Sequence, residues 1–416
     1  MHLKKKLEYK WVILAVCFMM EFLCLGFCSS NGGMYLTAIT EALGFERSLY
    51  SLTTSFRHIV SIVISLFFGA LVHKFGTKKL ICAGLLALIA STSIFASANE
   101  LYQFYFGGAL LGLGIILTGS TMASTVIRHW FDKDVGKYTG IALTANGIGG
   151  AVAAQIIAPY IYSDDPFGYR IAYRISILAV VVISIVILVL LKEPAEHPIV
   201  TAKKKATANW QGLSYKQIQK KPYFYLMASL IFLNGICLES ISHSGIAHLK
   251  DCGIGGDFIA ATSTAASLML TAAKVIIGIL YDKKGLRFTL IACHIIMVIS
   301  LVMMLFSGNT AIGKVCAMGA VVFSRLALPI ETVMIPLISA DMFGNNALVN
   351  VMGVFVACKS AGSCIDAPLC NLVFDITGSY IPIYVFFTIM MVAVAVAIQL
   401  VIGMAYKDKE KILATE

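Results

Sequence analysis

Three cationic side chains, Lys274, Arg325 and Lys359, stand deep inside stretches that are otherwise apolar enough to lie in a membrane. A cation in the hydrocarbon core costs a few kcal/mol or more unless it is paired or faces water. Three of them in the second half of one chain point to a polar cavity that receives anions. Two ammonium groups at close range repel each other, so a bound anion relieves the repulsion and replaces lost hydration. An empty pair also opposes closure, which suits a carrier that should not cycle unloaded. The competing reading is that these cations are fixed partners of buried acids. Glu239, Glu331 and Asp366 lie in apolar runs of the same half and balance the three cations in formal charge.

Spacing narrows the pairings. Glu239 and His243 are four residues apart and share a helical face, as do Lys359 and Asp366, seven apart. Arg325 and Glu331 are six apart and point to different sides of one helix. Each acid, with Glu21 in the first half, is either a structural counter-ion or a proton-coupling or substrate-contacting group. Arg57, next to His58, either faces the cavity or snorkels towards the membrane surface.

The elements that must hold these groups are membrane helices. Of the 416 residues, 59% are hydrophobic and 13% charged, and mean hydropathy is +0.86; soluble domains carry roughly 25% charged residues. The sequence predicts twelve spans at 11–36, 49–72, 79–98, 101–127, 136–161, 170–191, 222–247, 258–281, 287–307, 311–337, 348–373 and 381–405. The expected fold class is an all-α membrane protein, in two six-helix halves at 1–191 and 222–416 joined by a cytoplasmic linker at 192–221. That linker holds Pro194, Pro198, the run Lys203 to Lys205, and Trp210. The N-terminal apolar run is too long for a cleaved signal peptide and reads as a first span. Eleven scattered cysteines show no metal-ligand spacing and read as small apolar packing residues. No metal or other cofactor is expected.

Placing the N-terminus inside leaves only Arg47, Arg170, Lys250 and Lys314 in outside segments, with the other loop lysines and arginines inside. The expected location is therefore the cytoplasmic (inner) membrane, with both termini inside. The net charge of +10 suits a leaflet of anionic lipid rather than nucleic acid. No nucleotide-binding loop precedes a helix: Gly112-x-Gly114 sits in mid-span. The driving force is expected to be a solute or ion gradient.

The halves repeat. Gly69, Leu71, Lys74 and Gly76 stand between spans two and three; Gly278, Leu280, Lys283 and Gly285 stand between spans eight and nine, with the same G-x-L-x-x-K-x-G spacing. The second copy adds Asp282 and Arg287; the first has His73 in place of the acid. This resembles the signature loop of the major facilitator superfamily. The resemblance implies two pseudo-symmetric six-helix halves, and loop charges that stabilise one access state.

Two further stretches, from Arg128 through Trp130, Phe131 and Gly136 and from Asp341 through Phe343 and Gly344 to Lys359 and Ala361, look like the oxalate/formate antiporter and its monocarboxylate-transporter relatives, as does Gly168-Tyr169-Arg170. The resemblance implies that Lys274 and Lys359 match two basic residues that hold a dicarboxylate. Lys274 stands where the antiporter family has arginine, and a point charge recognises carboxylate differently from a planar fork. Leu270 stands where monocarboxylate symporters carry an acid.

The expected function is alternating-access transport of a small organic anion, a mono- or dicarboxylate, as antiport or proton symport. Lys274, Lys359, Arg325 and Arg57 are the expected substrate contacts; protons or a counter-transported anion are the expected partners. The alternative is a proton-coupled exporter of organic cations or drugs using the carboxylates. No catalytic constellation argues for an enzyme.

Overall fold

The structure is a computed structural model and describes residues 2–131, 135–192, 212–344 and 346–413. Most of the expected linker, including Lys203 to Lys205 and Trp210, lies outside the described residues, as do Asp132, Lys133 and Asp134. The fold is all-α, with no strand among the described residues. Among the described residues, nine stretches are long and apolar enough to cross a membrane: Tyr9–Leu43, Arg47–Phe75, Thr77–Ser97, Leu101–Trp130, Gly136–Ile161, Gly168–Leu190, Pro222–Asp251, Gly256–Leu305 and Ile381–Ile412. Gly256–Leu305 is two spans meeting at Gly285, whose φ of 76° turns the chain. The tenth span runs through Ala311–Ala327, Ile330–Met334 and Ile335–Phe343, and the eleventh is Leu348–Thr377. Among the described residues the rods number twelve, as the apolar runs of membrane length predict.

Gly76 and Gly285, the last glycines of the two repeated motifs, both take a positive φ, 77° and 76°. A residue with a Cβ is strained there, so the repeat is a repeat of backbone geometry. The second motif is helical up to its glycine, so the expected loop between spans eight and nine shrinks to one kinked residue.

By packing, the chain forms two compact units, Met1–Thr201 with Ile254–Thr271, and Ala202–Gly253 with Ala272–Glu416. In each, every third span is interrupted. The first has a π-helical stretch at Phe22–Phe27, the seventh at Ile241–Gly245 and the tenth at Ile330–Met334. The fourth breaks at Gly119 between Leu101–Thr118 and Ser120–Trp130. Such π turns often mark functional sites, and ionisable residues flank or occupy all three: the buried Glu21, then the half-buried Glu239 and His243, then the buried Glu331.

Within the first unit, Asn31 donates to the Gly150 carbonyl (3.0 Å) and Ser30 to Asn146 (3.2 Å), tying span one to span five. Arg170 donates to the Asn99 side chain (2.6 Å) and the Ala98 carbonyl (3.3 Å), pinning span six to the turn before span four. In the second unit, Asp341 accepts from Tyr406 (2.5 Å) and pairs with Lys409 (3.6 Å). Nearby, Asp408 pairs with Lys221 (2.7 Å) and accepts from Tyr223 (2.9 Å). Span twelve is thereby fastened to the start of span seven and the end of span ten.

Candidate functional site

In the second unit, spans seven, ten and eleven converge on Lys359. Its position follows from glycine. A Cβ on Gly235 would run into the Lys359 carbonyl, and one on Gly362 into the Phe232 carbonyl, so spans seven and eleven cross with backbones in contact. The lysine of span eleven therefore reaches across the acids of its neighbours. Lys359 Nζ lies 2.9 Å from Glu239 Oε1 and 2.7 Å from Glu331 Oε2. Its side chain is 16% exposed and that of Glu331 4%.

The network continues from Glu239. His243 Nε2 is 3.5 Å from Glu239 Oε2, one helical step along the same face, and Nδ1 is 2.8 Å from Asp366 Oδ2. Asp366 is fully buried and accepts from the Cys370 thiol at 3.4 Å. Glu331, Lys359, Glu239, His243 and Asp366 thus form one chain of contacts between ionisable groups through three spans. The seven-residue spacing of Lys359 and Asp366 turns both towards span seven, and the four-residue spacing of Glu239 and His243 makes them neighbours. Glu331 pairs with Lys359, in keeping with its angular separation from Arg325.

The other expected site residues are placed as follows. Arg325 is half-buried in span ten, its Nε buried with no hydrogen-bond acceptor among the described residues. Lys274 is half-buried in mid-helix, four residues before Gly278. In the first unit Arg57 donates to Ser29 of span one (3.1 Å) and meets His58 (3.0 Å), so it is turned into the protein rather than outward. Glu21 is fully buried at the last residue before the first π stretch. Of the motif residues, Gly69 and Gly278 have open space around them, and Lys74 lies over the Phe75 ring. Asp282 is exposed, and Arg287 stacks on Tyr406 at 5.2 Å.

Two participants escape a reading of spacing. Cys370 reads as packing, yet its thiol donates to Asp366. Tyr384 of span twelve bonds Ser244 at 2.9 Å, beside the π stretch of span seven. A buried tyrosine needs a partner for its hydroxyl, but nothing in one sequence says which.

Twelve helical rods among the described residues, with an ion network at the interruptions of spans seven and ten, define a polytopic membrane protein of the transporter class. The chain belongs to the Major Facilitator Superfamily, whose family model matches residues 14–367. That membership sets it among transporters rather than enzymes. Among curated relatives, it is 22% identical over 247 residues to an uncharacterized MFS-type transporter, YcxA, of Bacillus subtilis (strain 168), covering 59% of each chain. It is 22% identical over 225 residues to the sialic acid transporter NanX of Escherichia coli (strain K12), covering 53% of each. It is 27% identical over 116 residues to the multidrug resistance protein MdtH of Yersinia enterocolitica, covering 28% of this chain and 29% of that one. The chain thus spans well under two thirds of the curated relatives it matches. Among solved structures, a point mutant of the nucleoside transporter NupG superimposes with a TM-score of 0.78 at 12% identity, over 94% of this chain and 99% of that one. This likeness is one of fold.

Proposed function

We propose that the chain is a secondary carrier that moves a small organic anion together with a proton. The observation that carries this reading is Lys359 held between two carboxylates, Glu239 and Glu331. One ammonium there faces two negative charges, and a substrate carboxylate cannot reach it without adding a third. A proton on either acid releases one side of Lys359 for a substrate carboxylate. Proton and anion therefore enter together, and the site carries the same formal charge empty and fully loaded. That conserved charge lets both forms cross between access states in a site where uncompensated charge is costly. Lys274, Arg325 and Arg57 are further cations for the substrate's remaining polar groups, and His243 with Asp366 fixes Glu239 in place.

The stretches that resemble the oxalate/formate antiporter and monocarboxylate-transporter group support a carboxylate, as does the relative named a sialic acid transporter. The charge distribution supports insertion in the cytoplasmic membrane with both termini inside. A second reading is export of organic cations against protons. Two acids on one lysine favour it, and a multidrug resistance protein is among the relatives. Uptake of labelled mono- and dicarboxylates into proteoliposomes, with and without internal anion and with and without a pH gradient, separates the readings. Symport requires carboxylate uptake driven by an acid exterior. Uptake that needs internal anion and ignores the pH gradient means exchange, and no carboxylate uptake in any condition overturns the anion reading.

A further inference from the structure

Beside the Lys359–Glu331 pair, inside the second unit, is a small cavity walled by spans seven, nine, ten, eleven and twelve. Its lining is isoleucine and leucine apart from three polar groups, Asn234, Glu331 and Lys359. Asn234 is 4% exposed and Glu331 9%. Glu331 spends Oε2 on Lys359, and no donor among the described residues reaches its buried Oε1. The Oδ1 of Asn234 is buried in the same condition. Both residues line the cavity, and a buried acceptor is costly unless something donates to it. Lys359 has three N–H donors and directs two of them at Glu239 and Glu331. The cavity volume of about 10 Å³ is close to what the centre of one water needs.

We propose that this cavity binds one water molecule, which donates to Glu331 Oε1 and Asn234 Oδ1 and accepts from Lys359, and that through this water Asn234 sets the proton affinity of Glu331. Two acceptors and one spare donor match the two hydrogens and the lone pairs of a single water. When Glu331 takes a proton, the water turns to accept it and keeps its bond to Asn234, so one site serves both protonation states. Glu331 is then the acid of the pair that exchanges the proton, because Glu239 is held on its other side by His243. The charged and titratable groups around Glu331 are Lys359 of span eleven and Glu239 of span seven, with Arg325, His243 and Asp366 beyond them. Spans nine and twelve offer only Leu290 and Ile398 to the cavity. Asn234 is a positioning residue here, acting through the water. The assignment of Glu331 rests on the proton-coupled reading above; the water site itself does not.

Infrared difference spectra of the purified protein, recorded across pH in ordinary and oxygen-18 water, test this without any substrate. The Glu331 carboxyl band is identified by its loss in Glu331→Gln. The wild type is expected to show that band titrating together with an isotope-sensitive band of one bound water. Asn234→Leu removes the second acceptor and fills the space, so the water band disappears. Glu331 loses a donor to its ionised form and holds its proton to a pH about one unit higher, a tenfold change in affinity. Asn234→Ser keeps a polar group and room for water, and retains the wild-type spectrum. An unchanged midpoint in Asn234→Leu, or no isotope-sensitive water band in the wild type, overturns the proposal. Should Asn234→Leu not fold, the wild-type and Asn234→Ser spectra still decide it. Normal spectra in a protein that takes up no carboxylate would sink the transport reading and leave the water site standing.

Discussion

Lys359 sits where its charge is worth most and where its loss is felt most. A buried ion pair gains little over an apolar replacement, but removing one partner strands the other and costs about 3–5 kcal/mol. Lys359→Met strands two carboxylates, so it is expected to lower the thermal stability of the detergent-solubilised protein by about that amount. Adding Glu331→Gln to it removes one stranded charge and is expected to restore part of the loss. A double variant no more stable than Lys359→Met, measured by thermal denaturation, contradicts the pairing. His243→Ala leaves Asp366 without its imidazole partner and is expected to cost about 1–3 kcal/mol in the same assay; His243→Gln, which can still donate, is expected to cost less. The members of this network were legible in the sequence because a charged residue in an apolar run is conspicuous. The pairs within one helix followed from the periodicity of the helix. The pairs between helices did not, because which acid meets Lys359 depends on how closely spans seven and eleven cross.

Whole elements show the same division. Twelve rods follow from runs of apolar residues of membrane length. The π stretches in spans one, seven and ten do not, because a π turn inserts one residue without any change in apolar character, and the break of span four at Gly119 falls at one glycine among several in that span. Nothing in Phe22–Phe27 or Ile330–Met334 distinguishes it from a regular helix by composition. The kink between spans eight and nine was expected as a loop because Asp282, Lys283 and Lys284 are strongly polar; they are instead exposed helical residues before Gly285. Glycine roles also divide by packing. Gly235→Val drives a side chain into the Lys359 carbonyl and is expected to cost about 1–3 kcal/mol and to abolish transport by moving the lysine. Gly278→Ala meets open space and a helical backbone, so it is expected to leave stability within about 0.5 kcal/mol. Equal tolerance at both positions would show that the close crossing does not set the site.

Across the whole chain, the duplicated G-x-L-x-x-K-x-G spacing has a physical meaning in the paired left-handed glycines Gly76 and Gly285. The charge asymmetry of the loops favours both ends of the chain on the cytoplasmic side. A reporter fused after Glu416 is expected to be active only as a cytoplasmic fusion, and activity of a reporter that requires export would reverse the topology. The substrate is the part least legible from one chain, since a lysine recognises any carboxylate by charge while shape selection depends on side chains from many spans. The proposed mechanism turns on proton and anion sharing the charge of Lys359. To test that sharing, carboxylate is added to proteoliposomes in weakly buffered medium with no imposed gradient, and external pH is recorded as label enters. Alkalinisation in step with uptake is expected in the wild type, and neither in Lys359→Met. Carboxylate entry with no change of pH would refute it.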